Sequence, residues 1–201
     1  SRDHAAEATR TELWAKAMAL EDAQRNRALL ITLDLVGVSR DVTLPIRRAL
    51  AKDHGLGMAD ILINCSHTHT GPVVGENLRT MYALGASHSQ AILDYTEWLI
   101  DEVITLGIQA VEALRPASLQ YGHAQATFAT NRRQNPESLV PAWRASGRLK
   151  GPVDHEVPVL SIRDPERAVI AVVFGYACHA TVLNDYHWSG DYPGYAQAAL
   201  E

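Results

Sequence analysis

Two short stretches of the chain combine residue types that can do metal chemistry. Ser66-His67-Thr68-His69-Thr70-Gly71-Pro72 follows directly on the apolar run of residues 61–65. In extended backbone, side chains two apart share a face, so His67 and His69 can converge on one point. Buried strands that end in glycine-containing loops are where α/β folds place their sites. The plain alternative is two polar loop histidines with no ligand. The second stretch, Tyr176-Ala177-Cys178-His179-Ala180-Thr181, closes the apolar run of residues 168–177. His179 stands there as His67 does, the first polar ring after a buried run. Two strands of one sheet ending in histidine invite a shared metal. Zinc takes imidazole nitrogen, and catalytic zinc keeps one position for water.

The other chemistry-bearing residues carry weaker patterns. Cys65 and Cys178 are read either as small buried apolar residues, the usual state of free cysteine, or as part of a structural Cys/His zinc site, although such sites usually employ paired cysteines. Thr130-Asn131-Arg132-Arg133-Gln134 places arginine where it can hold a carboxylate, a phosphate or a developing oxyanion. Two arginines in a loop are, taken alone, more often a solvated surface. His54, His88, His123, His155 and His187 have no comparable spacing and read as surface histidines.

The elements that must position these groups follow from apolar periodicity. Residues 13–20 and 28–36 read as two strands joined by a polar turn. Ser39-Arg40-Asp41 opens a helix with Pro45 in its first turns, ending at Gly55 and Gly57. Residues 61–65 form a buried strand, and strand–helix–strand order implies a right-handed crossover and a parallel pair. Residues 89–114 form a long amphipathic helix, with Ile92, Tyr95, Trp98 or Leu99, Val103, Leu106 and Ala110 as its apolar stripe, stopped by Pro116. Residues 117–127, 157–162 and 169–177 read as strands, residues 130–151 as a polar loop, and residues 191–201 as a helix start that Asp191 can cap. The class is α/β, a mixed β-sheet flanked by helices.

Composition narrows the rest. A chain of 201 residues with 47% hydrophobic and 20% charged residues has the balance of a globular domain and can bury a sizeable core. A net charge of −5 gives no clustered basic footprint for nucleic acid. The longest apolar run, residues 168–177, is well short of the ~18 residues a membrane helix needs. No apolar run follows residues 1–4, so they are no signal peptide. The abrupt ends predict residues 1–201 to be a piece of a longer polypeptide, truncated at both ends.

Taken in order, these residues resemble the N-terminal catalytic domain of the neutral/alkaline (non-lysosomal) ceramidases. The matching pieces are LWAKAMALED at 13–22, LLITLDLVGV at 29–38, INCSHTHTGP at 63–72, NRR at 131–133, VDHEVPVLSI at 153–162, ACHATVL at 177–183 and SGDYPGYAQAALE at 189–201. The resemblance implies a zinc ion held by His67 and His179, with His69 beside the metal and Arg132 facing the scissile amide. It also implies further ligands, a Glu and a Tyr, and a serine later in the chain, so these residues carry half an active site. The implied activity is hydrolysis of the N-acyl amide of ceramide or a related lipid amide. The implied setting is secreted or periplasmic, with room for peripheral membrane contact. The rival expectations are a metal-free binding or scaffold module of the same fold, and the structural Cys/His zinc protein.

Overall fold

The computed structural model describes residues 4–81 and 84–201. The opening residues 1–3, whose reading as no leader rests on sequence alone, and residues 82–83 of the glycine-containing loop lie outside the described residues. In chain order the elements are β1 (Ala8–Thr9), β2 (Ala15–Glu21), β3 (Arg27–Leu33), α1 (Arg40–Asp53), β4 (Ile61–Cys65), α2 (Ala86–Glu112), β5 (Ser118–Gln125), α3 (Val140–Ala145), β6 (Glu156–Arg163), β7 (Val169–Phe174), β8 (His187–Trp188) and α4 (Asp191–Ala198). Length alone points to one domain; the chain divides into two compact units, one up to Leu114 together with Ala180–Glu201, the other Arg115–His179. The class is α/β.

In the first unit, β2 and β3 make the antiparallel hairpin read from the sequence, and β3 pairs in parallel with β4 from Leu29↔Ile61 to Leu33↔Cys65. The hairpin turn is held by the Asp22 carboxylate, which accepts from the backbone N–H groups of Gln24 and Asn26. The inward residues of β3 alternate as a half-buried strand requires, with Leu29, Ile31 and Leu33 at most 2% exposed. They meet Val42, Ile46 and Leu50 of α1 and Leu99, Val103 and Val111 of α2 in one apolar core. Gly107 lets the two helices close up, since a Cβ there would lie 2.8 Å from the Leu50 side chain.

Of the two candidates for one position of the α2 stripe, Leu99 is buried and Trp98 exposed, and Thr96, outside the expected stripe, is buried as well. The Thr96 hydroxyl donates to the Ile92 carbonyl at 2.6 Å and accepts from the Gly75 backbone N–H at 2.9 Å. That polar residue inside an apolar stripe anchors the loop that follows the HTHTGP stretch.

In the second unit, β5, β6 and β7 form an antiparallel meander. The expected mixed sheet is therefore confined to β2-β3-β4, and the strands preceding His67 and His179 belong to different three-stranded sheets rather than one. Pairing partners are chosen by contacts far apart in sequence, which strand periodicity does not encode. Residues 130–151 are not all loop: α3 lies within them, with Pro141 in its first turn, the one place a helix tolerates it. Among the described residues, no helix is long and apolar enough to cross a membrane.

Candidate metal centre

The HTHT stretch leaves β4 and keeps the alternation of faces expected of it. His67 and His69 are exposed, whereas Thr68 and Thr70 are 0% and 5% exposed. Its backbone is not extended, however. His67 has φ +63°, the left-handed region that a residue with a Cβ occupies only when its surroundings over-determine it. Two tethers to the segment after β3 do so: the His67 backbone N–H donates to the Leu35 carbonyl at 3.0 Å, and its Nδ1 lies 2.5 Å from the Val36 carbonyl. A carbonyl oxygen only accepts, so Nδ1 carries the proton and Nε2 of the neutral ring keeps its lone pair.

That lone pair faces His69, whose Nε2 is 3.3 Å from Nε2 of His67 with the rings edge-on at 77°. The donor set suits a cation. An imidazole whose other nitrogen donates to a carbonyl is the usual form of a histidine ligand, and zinc takes such a nitrogen. His179 is the last residue of the second unit, directly before the buried Ala180 of the first.

The threonines between the histidines are what fix them. Thr68 Oγ1 donates to the Ser189 carbonyl at 2.7 Å; Thr70 Oγ1 lies 2.9 Å from that carbonyl and 2.9 Å from Ser189 Oγ. The backbone closes the same link, with the Ser189 N–H donating to the Thr70 carbonyl. Nothing in the sequence marked these threonines except their alternation with the histidines. Asp191 also departs from expectation. Gly190 occupies the cap position of α4, and Asp191, 1% exposed with φ +53°, turns its carboxylate to the backbone N–H groups of Val182, Leu183 and Tyr192.

Arg132 lies in the second unit, half-exposed and paired with Glu137 at 2.6 Å. Cys65 and Cys178 form no disulfide. Burial, and secondarily the nearby Asp34 carboxylate, push the Cys65 thiol up to about 11, the direction of an inert buried cysteine rather than a reactive one.

Sequence reasoning also missed a cavity of about 350 Å³ beside His69. Pro72, Val73, Ile92, Tyr95 and Trp188 give it apolar walls, and His88 and His187, read as surface histidines, line it too. At its edge, burial raises the Asp185 carboxyl, but the His187 backbone N–H and the Arg10 guanidinium outweigh this and hold it below its ordinary value.

The family profile described as neutral/alkaline non-lysosomal ceramidase, N-terminal, matches residues 1–201. Among solved structures, a neutral ceramidase from Pseudomonas aeruginosa superposes with a TM-score of 0.71 at 24% identity, over 96% of this chain and 31% of that one. A ceramidase complexed with C2 gives 0.73 at 23% identity, over 99% and 31%. The chain thus spans about a third of these proteins, and at such identity the likeness is one of fold. No curated protein matches the sequence significantly.

Proposed function

The chain belongs to the neutral/alkaline non-lysosomal ceramidase family, a family of hydrolases, and from that premise we propose that it supplies part of the active site of a zinc-dependent amidohydrolase acting on the N-acyl bond of ceramide or a related lipid amide. The observation that carries the reading is His67, whose bond from Nδ1 to the Val36 carbonyl turns Nε2 toward His69, 3.3 Å away at the mouth of the cavity. His67 and His179 hold the ion, and His69 stands beside it toward the cavity. Zinc bound there supplies a water of lowered pKa and a Lewis acid for the amide carbonyl.

The chain's own residues do the rest. The Val36 carbonyl keeps His67 in the tautomer that presents Nε2 outward. His69, at the mouth of the cavity, orients the scissile amide by a hydrogen bond. Arg132 releases Glu137 and turns its guanidinium to the oxygen that gains charge. The apolar walls from Pro72 to Trp188 take an alkyl chain of the substrate and exclude water from it. The family resemblance favours a secreted or periplasmic protein, and a lipid amide substrate would bring it into peripheral contact with a membrane surface.

The test is zinc content and hydrolysis of a short-chain N-acylsphingosine by the full-length protein. His67→Ala and His179→Ala lose both metal and activity, whereas His69→Ala keeps most of the metal and loses turnover. Equal metal loss in all three variants would make His69 a ligand. A zinc-free wild type that still cleaves the amide would overturn the metal assignment.

A further inference from the structure

The two stretches that bear the candidate ligands are fastened to one short turn, residues 189–191. Ser189 receives the HTHT loop through the hydroxyls of Thr68 and Thr70, on either side of His69. Its own hydroxyl accepts from the Asp191 backbone N–H at 3.2 Å. Two residues on, the Asp191 carboxylate receives the other stretch: Oδ2 accepts from the Leu183 N–H at 2.8 Å and Oδ1 from the Val182 N–H at 3.3 Å, three residues after His179. Oδ1 also accepts from the Tyr192 N–H at 2.6 Å.

A carboxylate that is 1% exposed, in left-handed backbone and bonded only to backbone N–H groups among its described partners, does not face substrate. Its unfavourable backbone persists because the three bonds require it. We propose that Asp191 is a positioning residue for the metal centre. Through the backbone of Val182 and Leu183 it fixes where His179 is delivered, and through Ser189 it shares one support with His67 and His69. The inference rests on the metal reading above.

Asp191→Asn keeps the shape but must turn an NH2 group toward at least one of the three backbone donors. In the full-length protein, zinc affinity is measured by chelator competition, and geometry by the visible spectrum of the cobalt(II)-substituted form. Ile46→Val, a buried position in the α1 core, serves as a control of lowered stability. The expected result is a zinc affinity ~10–100-fold weaker for Asp191→Asn, as for other outer supports of metal ligands, with altered cobalt bands. Ile46→Val keeps both. Should Asp191→Asn not fold, Ser189→Ala removes one hydroxyl from the same turn, and the same two readouts should move in the same direction. Wild-type affinity and an unchanged cobalt spectrum in a destabilised Asp191→Asn would overturn the proposal and make the residue purely structural. A wild-type protein that binds neither metal would overturn the metal reading, and this inference with it.

Discussion

Gly190 and Gly194 stand four residues apart at the start of α4, joined by the bond from the Gly194 N–H to the Gly190 carbonyl at 3.0 Å, yet alanine should act on them in opposite directions. At Gly190, φ is −73°, so backbone strain plays no part and sterics decide. A Cβ there would lie 2.8 Å from the Gly194 Cα and 3.3 Å from Asp34 Oδ2. The first neighbour is backbone and cannot step aside by rotating. Overpacking of this kind costs about 1–3 kcal/mol, and the lower entropy of the unfolded alanine chain returns about 0.4–1 kcal/mol. At Gly194 a Cβ meets only Thr11 Oγ1, at 4.0 Å, and alanine inside a helix is worth about 0.5–1 kcal/mol over glycine. The two variants should therefore differ by about 2 kcal/mol, roughly 30-fold in the folding constant. Urea unfolding of both in the full-length protein measures the difference, with Gly190→Ala below wild type and Gly194→Ala above it. If Gly190→Ala equals or exceeds Gly194→Ala in stability, the tight packing of the turn against α4 is wrong.

Three further outcomes are expected. Arg132→Lys should lower turnover by about 10²–10³-fold, the usual effect of losing one oxyanion donor, without a marked change in melting temperature, because its pairing with Glu137 is exposed and such pairs contribute little; unchanged turnover would leave Arg132 a surface residue. Trp188→Ala should raise KM for a long-chain amide more than for a short-chain one, since Trp188 walls the cavity beside His69; equal effects on both would remove the alkyl chain from that cavity. The Asp185 carboxyl is held below its ordinary value of 3.8, so its contribution to stability is present above that value and is lost as pH falls through the lower folded-state value. Acid unfolding of Asp185→Asn should lack that part of the loss, and identical acid limbs for variant and wild type would contradict it.

What was legible in the sequence follows from which interactions are local. The hairpin of β2 and β3, the helix α1, the parallel strand β4 and the extent of α2 were all readable from apolar spacing and from the stop at Pro116, because burial of one face imposes a period. α3 was hidden because Pro141 reads as a breaker unless it falls in a first turn, which is where it lies. That the runs ending in His67 and His179 belong to separate sheets was not readable, since strand partners are set at long range. Within the site, the histidines were conspicuous and their support was not. The left-handed His67 carries no glycine to announce it. The partners of Thr68 and Thr70 lie about 120 positions away at Ser189, and Asp191 had been legible only as a helix cap.

The alternation of exposed histidine and buried threonine across residues 67–70 makes the loop sensitive to parity. Replacing one outward ring removes one function and leaves the anchor in place. Adding or deleting a single residue between Ser66 and Thr70 exchanges the two faces, so that imidazoles turn toward the space filled by hydroxyls bonded to Ser189 and threonines turn out toward the solvent side. One such shift loses chemistry and support together. A change of two residues restores the order of faces but displaces His67 from its tethers at Leu35 and Val36. The segment is therefore forgiving of what stands on its outer face and intolerant of any change in its count.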